Sequence, residues 1–236
     1  MSRQDHFSLV NNLGKLSLNH NRKPPKPVEV SINTEMLLDI LKALEIPSQF
    51  FKPIEGDKIY ELVALDKKST QFKKVKVKFT SGLMNRTTKS SVRMIQMVLN
   101  PYIAAQYKLK QYKKADTFNL CQEMLLYHGT WHHNLDSICE ENYNWRCTNA
   151  HMYGQRVSFA KYPTYASYYP RELVGKSRVM ILSKVLYTWI CNGDPSMQIP
   201  KGSSDTSGKP NRDVIVKYED ADYYPLYIIH YHLLGI

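Results

Sequence analysis

The sequence has neither an apolar signal at its N-terminus nor an apolar run long enough to cross a membrane. It has four cysteines, and none of them forms a CxxC pair. This pattern gives no sign of a disulfide framework, so we expect a reducing compartment, either nucleus or cytoplasm, and no membrane association. We also expect no metal site. Cys139, Cys147 and His151 are spaced like part of a CCCH zinc finger, but a ligand is missing.

Acidic residues are absent between residues 67 and 115, a stretch that carries thirteen lysines and arginines. The whole chain has a formal net charge of +11, so the remainder is slightly acidic. A basic surface from Lys67 to Lys114 would attract nucleic acid or an acidic partner. The alternative is a solvated lysine-rich face, since no aromatic-and-basic motif or zinc finger accompanies the charge.

The chain has no composition shift typical of a flexible linker in its middle, and its hydrophobic content of 43% suits one sizeable core. We interpret residues 1–30, which mix prolines and basic residues, as a disordered basic lead-in. Residues 31–57 are interpreted as a short amphipathic helix and a connector. The apolar stripe of that helix is predicted to pack on the domain's own core, and it comprises Leu37, Ile40, Leu41 and Leu44. Residues 58–236 form the remaining domain.

The strand-like run LLYHGT spans residues 125–130, and its last three residues are His128, Gly129 and Thr130. It places the imidazole of His128 beside Gly129, which has no side chain, so a ligand could approach the backbone there. Leu135, Ile138 and Cys139 then follow at helical spacing, and a polar loop leads to a second strand, VSFA. The order is strand, helix, loop and strand, with a cleft edge at His128.

Other segments follow similar patterns. Strands are predicted at residues 58–65, 91–98, 178–187, 213–218 and 225–234, and a polar loop at 191–211. Asn100 and Pro101 predict a helix start, with the helix continuing to Lys114. Residues 71–79 fit either a strand or a helix. Because strands dominate the C-terminal half, the distribution indicates an α+β domain with a split antiparallel sheet.

Several motifs together resemble the catalytic domain of the poly(ADP-ribose) polymerase superfamily: HGT at 128–130, the segment YNWR at 143–146, then GQ and FAK. NPYIAAQYKLK at 100–110 and YYPLYIIHY at 223–231 are similar to segments of its mono-ADP-ribosyltransferase branch. The resemblance covers most of the chain from residue 58 onward. It implies the ADP-ribosyltransferase fold, with split antiparallel β-sheets and flanking short helices, and it favours a helix at 71–79.

The same resemblance implies that NAD is the substrate and that protein acceptors are modified. His128 would bind the adenosine ribose, the Gly129 backbone would hold the nicotinamide amide, and Thr130 completes that motif. Tyr169 matches one of two tyrosines that enclose the nicotinamide ring. Arg146 lies in the loop over the donor site.

The sequence departs from the family pattern within the pocket. Ser158 stands where the first stacking tyrosine is expected. Arg156 stands at a glycine position, where its charge could repel the pyridinium unless its side chain turns toward the pyrophosphate. Ala166 replaces the serine that bonds the nicotinamide carbonyl, although Ser167 could substitute. Val214 occupies the position of the glutamate that supports chain elongation, so no polymer is expected.

Two hypotheses remain open at this point. The chain is either a mono-ADP-ribosyltransferase or a degenerate domain that binds protein, RNA or ADP-ribose without turnover. Intact HGT and Tyr169 favour the first, whereas Ser158, Arg156 and Ala166 favour the second. Outside the cleft, His132 and His133 are predicted at the surface of a helix start, and the histidines of the last strand are predicted to be structural.

Overall fold

The computed structural model describes residues 34–51, 59–83, 88–147, 152–169 and 177–235. The predicted lead-in and residues 52–57 of the predicted connector lie outside these ranges. The helices are α1 (Thr34–Ala43), α2 (Thr70–Leu83), α3 (Pro101–Phe118), α4 (Leu135–Glu141) and α5 (Pro163–Ala166). Short 3₁₀ turns occur at Ser48–Phe51, His132–Asn134 and Trp145–Cys147. No helix in the described ranges has the length and apolar character needed to span a membrane.

Within the part of the chain that the structure describes, nine strands form one sheet: β1 (Glu61–Ala64), β2 (Thr88–Leu99), β3 (Gln122–Thr130), β4 (Val157–Ala160), β5 (Ser177–Tyr187), β6 (Ile190–Asn192), β7 (Thr206–Gly208), β8 (Val214–Lys217) and β9 (Tyr223–Gly235). Their spatial order is β1-β2-β9-β5-β3-β4-β8-β7-β6. Every pairing is antiparallel except β6 with β7. The α+β class predicted from the sequence is confirmed.

The sheet has two halves that meet at one narrow point. Strands β3 and β5 pair along nine residues, and β4 and β8 pair along four. Between the halves, β3 and β4 share the single register pair of Tyr127 with Ala160. The sheet is therefore continuous but split along most of this line.

Helix α2 resolves the ambiguity at residues 71–79. Phe72, Val75 and Phe79 are all buried, and this spacing matches one face of a helix rather than one face of a strand. Phe79 packs against the rings of Tyr127 and Tyr231 on the sheet. Helix α1 packs on the same core, where Leu41 is fully buried.

Asn100 caps α3 as the sequence predicted. Its side-chain oxygen accepts hydrogen bonds from the backbone N–H groups of Tyr102 and Ile103. Its amide nitrogen donates to the carbonyl oxygens of Cys139 and Glu140 at the end of α4. One buried side chain thus satisfies the start of one helix and fixes the end of another.

A buried group of four charged side chains, here called the ion quartet, joins α3 to the second half of the sheet. Lys114 on α3 lies 2.6 Å from Asp205 and 3.1 Å from Asp222. Lys217 on β8 lies 3.2 Å from Asp205 and 3.0 Å from Asp222. Burial would raise the pKa of Asp205, but Lys217, Lys114 and the Thr188 N–H together outweigh it and lower that pKa to about 2. Burial raises the pKa of Asp222 despite the same two lysines, so the two carboxyl groups differ. The quartet pairs two lysines with two aspartates and connects segments on both sides of the split.

The loop predicted at residues 191–211 was only partly right. The structure places β7 inside it, and β6 overlaps its start. These strands have three residues each and contain glycine, serine and asparagine, so their sequence gives no strand signal. Pairing with β8 and with each other creates them.

Candidate active site

A cleft opens where β3 and β4 separate. Beyond the pair of Tyr127 with Ala160, β3 remains with β5 while β4 remains with β8. The space beside the exposed edge of β3 is a pocket of about 660 Å³. This volume falls within the range of roughly 300–1,000 Å³ that is typical of small-molecule sites. The predicted cleft edge at His128 is where the pocket lies.

His128 lines the pocket in a defined tautomer. Its Nδ1 lies 3.0 Å from the carbonyl oxygen of Ser158 on β4. Because a carbonyl only accepts hydrogen bonds, Nδ1 must carry the proton. Burial lowers the pKa of His128, and the bond to Ser158 opposes this only in part. The imidazole is therefore neutral near pH 7, with Nε2 able to accept a hydrogen bond.

Tyr143 holds the imidazole in place. Its ring centroid lies 4.8 Å from that of His128 in an edge-to-face arrangement, and 5.2 Å from that of Phe159. Its hydroxyl is 2.6 Å from the Ser183 hydroxyl oxygen. These contacts leave the His128 ring little freedom. Tyr143 belongs to the YNWR motif, but the sequence did not identify it as a site residue.

Gly129 allows α5 to approach the strand. A Cβ atom at this position would lie 2.0 Å from the carbonyl oxygen of Ala166 and 2.1 Å from that of Tyr169. The sequence predicted a glycine that exposes backbone to a ligand. Gly129 does line the pocket, but the space that a side chain would occupy is taken by the carbonyl groups of Ala166 and Tyr169. Beside it, buried Thr130 accepts a hydrogen bond from the Asn134 amide at 3.2 Å.

Four tyrosines, here called the tyrosine rim, line the pocket: Tyr153, Tyr165, Tyr168 and Tyr169. Tyr169, the predicted stacking residue, lies with its ring centroid 6.4 Å from that of Tyr165. Burial, then the neighbouring Tyr169 and Tyr153, raises the pKa of Tyr165. Tyr168 and Tyr169 are both exposed, so their rings are accessible from solvent. The sequence identified one member of this rim.

Ser158, Ala166 and Val214 all contribute to the pocket lining, as the family pattern implies for their positions. Val214 is buried and pairs with Ala160 across β8 and β4. Among the described lining residues there is no Asp, Glu, Lys or Arg. The described wall of the pocket is thus uncharged and has no carboxylate that could act as a base.

The two arginines lie elsewhere. The guanidinium of Arg156 stacks on the Trp145 ring at 3.7 Å from its centroid, and that of Arg146 lies 4.6 Å from the same centroid. Arg156 also donates a hydrogen bond to the Gln155 carbonyl. Neither arginine is among the residues that line the pocket. The predicted repulsion by Arg156 and the predicted donor contact of Arg146 both involve bound NAD, and they stay predictions.

The sequence missed further lining residues, which come from the segment after β3 and from the loop before β4. They are Trp131, His133, Asn134, Ser137, Asn144, Cys147 and Met152. His133 is exposed, as predicted, and its ring is nearly parallel to that of Trp131. The sequence marks these seven lining residues only by their position, because they flank the HGT and YNWR motifs. Side chains in loops, single 3₁₀ turns and a seven-residue helix show too little periodicity to identify them.

Of the remaining candidate residues, His230 and Cys139 lie outside the pocket, whereas Cys147 lines it. His230 on β9 lies 2.7 Å from the Gln96 side-chain oxygen. Cys139 is buried beside Val98 and Ile228, while Cys147 is exposed at the pocket. His151, which the finger-like spacing would require, is outside the described residues. Within the described ranges, no group of three or more His, Cys, Asp or Glu side chains is arranged to hold a metal ion.

Comparisons with known proteins agree on the kind of domain. The family model for the poly(ADP-ribose) polymerase catalytic domain matches residues 69–226, which is more than half of the chain. Protein mono-ADP-ribosyltransferase PARP12 of Homo sapiens is 26% identical over 200 residues, which cover 79% of this chain and 28% of that protein. Protein mono-ADP-ribosyltransferase PARP11 of Mus musculus is 23% identical over 224 residues, which cover 81% of this chain and 66% of that protein. The chain therefore spans only part of each relative.

Proposed function

Because this chain belongs to the poly(ADP-ribose) polymerase catalytic-domain family, we propose that it transfers a single ADP-ribose from NAD to an acceptor. Acceptors are proteins or nucleic acids, and the site of action is the nucleus or cytoplasm. The family uses NAD as a substrate, and its mono-ADP-ribosyltransferase branch includes PARP12 and PARP11. None of the four cysteines, all of which lie in the described ranges, forms a disulfide, and this supports a reducing compartment.

The observation that carries this proposal is the neutral His128 at the edge of a pocket bordered by exposed Tyr169. The Nε2 atom of His128 would accept a hydrogen bond from a ribose hydroxyl, and Tyr169 would stack on the nicotinamide ring. Thr130 and Asn134 fix the chain beside this contact. NAD supplies the glycosidic bond that breaks, and these residues position it and exclude water.

The residues of the pocket fit the two ends of NAD unequally. His128 and the tyrosine rim suit a ribose and an aromatic ring. Ser158 and Ala166, however, supply neither a second stacking ring nor the serine hydroxyl expected in this family. The loss of one stacking ring lowers the binding free energy by about 1 kcal/mol. The loss of one hydrogen bond lowers it by about another 1 kcal/mol. Donor binding is then weaker by roughly thirtyfold.

A second candidate function follows from the same two residues. If the nicotinamide end binds too weakly for turnover, the domain acts as a binding module for protein, RNA or ADP-ribose. The pocket keeps the histidine of the family motif at His128 but has Ser158 in place of the stacking tyrosine, and this combination supports the alternative. A gain-of-binding variant separates the two candidates.

We expect Ser158→Tyr to bind a nicotinamide-mimicking inhibitor about fivefold more tightly than wild type, since a restored ring contributes about 1 kcal/mol of stacking. Isothermal titration calorimetry on both proteins measures this. Ser158→Leu is the matched control, because it adds apolar bulk without a ring. His128→Ala checks that binding occurs in this pocket. Equal affinity of wild type and Ser158→Tyr would contradict the role given to Ser158. No binding to either, with unchanged circular dichroism, would support the binding module.

We also expect that incubation with NAD produces no poly(ADP-ribose). Val214 has no group that could accept the proton of a ribose hydroxyl, so elongation has no activator. Gel electrophoresis should show no ladder of heavy conjugates, and intact-mass spectrometry should show at most one ADP-ribose per modified site. A ladder that disappears in His128→Ala would show that another residue does the work of the missing glutamate.

A further inference from the structure

The solvent face of α2 carries four lysines: Lys73, Lys74, Lys76 and Lys78. All four are exposed, while Phe72, Val75, Phe79 and Leu83 anchor the opposite face in the core. Lys67 and Lys68 are also exposed and lie just before the helix. We call these six lysines the α2 basic face. Because the buried stripe fixes the rotation of the helix, these cations are held outward by the core.

These lysines differ from others in the same basic stretch. Lys110 pairs with Glu219, and Lys114 is buried in the ion quartet. Lys114 is therefore not available to a partner, although the sequence counted it in the stretch. Among the ion pairs found in the described ranges, none involves a lysine of the α2 basic face. The positive charge at this face is thus not neutralised by these pairs.

The C-terminal end of α2, which follows the α2 basic face, contacts α5 at the pocket wall. The Thr164 hydroxyl of α5 donates a hydrogen bond to the Gly82 carbonyl of α2 at 2.7 Å. Helix α5 is also the element that places Tyr165 and Ala166 in the pocket wall. At its start, the exposed Tyr162 ring has the Lys161 ammonium 5.4 Å from its centroid. A long polyanion on α2 would continue past α5 toward the tyrosine rim.

We propose that the α2 basic face binds the sugar-phosphate backbone of nucleic acid and holds the strand near the mouth of the pocket. Binding needs no transfer reaction, so it is independent of the proposed enzymatic function. Lysine ammonium groups contact phosphates as point charges. Base-specific contacts come mainly from Arg, Asn and Gln, and the one glutamine on this helix, Gln71, donates its amide to the Tyr227 hydroxyl. Recognition is therefore independent of base sequence.

An acidic protein fits this face less well. Lysine is depleted in protein–protein interfaces, whose cores rely on aromatic and apolar anchors. The α2 basic face offers Val77 as its one exposed large apolar side chain within the described helix. A partner held by phosphate charge alone needs no such anchor.

Fluorescence anisotropy without NAD tests the proposal, using a labelled mixed-sequence single-stranded RNA and the same sequence as DNA. We expect both to bind at low salt, with log affinity falling linearly as log salt rises. The triple variant Lys73→Glu, Lys74→Glu and Lys76→Glu should bind about tenfold or more weakly at low salt. Its slope of log affinity against log salt should be smaller by about 2–3, because three phosphate contacts are lost. The matched control reverses three lysines off this helix: Lys42, Lys201 and Lys209. This control has the same net charge as the α2 triple variant, but it should bind RNA and DNA as tightly as wild type does.

Three results would overturn the proposal. The first is no binding of wild type at low salt. The second is an equal loss in the control variant, which would make net charge alone responsible. The third is preferential binding of a polyglutamate peptide over RNA and DNA, which would indicate an acidic protein partner. Circular dichroism of both triple variants excludes unfolding as the cause of a loss.

Discussion

Replacing Asp222 with alanine should lower the free energy of unfolding by about 3–5 kcal/mol, because it leaves buried charge without its partner. Lys114 and Lys217 both lie within about 3 Å of this carboxylate, and all of these side chains are buried. In the variant, the two ammonium groups would share only Asp205. Urea denaturation followed by circular dichroism and by tryptophan fluorescence measures the loss.

A surface pair of the same chemistry provides the control. Glu219 pairs with Lys110 at the rim of this region, where the carboxylate is about half exposed. Solvent screens such a pair, so Glu219→Ala should cost at most about 1 kcal/mol. The double variant Lys217→Met with Asp222→Leu should be less destabilised than the single variant, because it removes both charges together. If Asp222→Ala costs no more than Glu219→Ala, the quartet does not connect the halves of the sheet.

The quartet also shows what the sequence could not predict. Lys114 looks like one more cation in a basic stretch, and its partners lie 91 and 108 residues further along the chain. A count of charges along the sequence gives no indication of such distant ion pairs. The ion pairs depend on how α3 lies against β8 and β9, which no local pattern encodes. The same limit applies to β6 and β7, whose three-residue strands exist because of their neighbours.

The elements that the sequence did predict have strong local signals. Asn100 followed by Pro101 marks a helix start through cap chemistry, and the structure confirms both roles. The strand that ends at His128 could be located because an apolar run stops there. The stacking of Arg156 on Trp145, eleven residues earlier, could not be predicted, because a charged residue at a glycine position gives no indication of its packing partner. Motif order predicted the position of the cleft, and only the fold decided which side chains line it.

Gly129→Ala should damage both the fold and the pocket. The added Cβ would overlap two backbone carbonyl oxygens, those of Ala166 and Tyr169, which cannot rotate away as side-chain atoms could. Either the β3 edge or the segment after α5 must shift, and we expect a loss of about 3 kcal/mol in unfolding free energy. The shift would also displace Tyr169, so inhibitor binding should fall by tenfold or more, on the order of 1.4 kcal/mol.

Gly202→Ala is the matched control for this variant. Gly202 has a φ of 64°, and no atom lies within 4 Å of the position that a Cβ would take, so alanine there meets backbone strain but no neighbour. That strain is worth about 1 kcal/mol. Urea denaturation and inhibitor calorimetry on both variants separate a steric clash at the cleft from the general cost of replacing glycine. Were Gly129→Ala to keep the wild-type stability and affinity, the close contact between β3 and the backbone after α5 would not shape the pocket, and the role of Gly129 would be limited to its own exposed backbone.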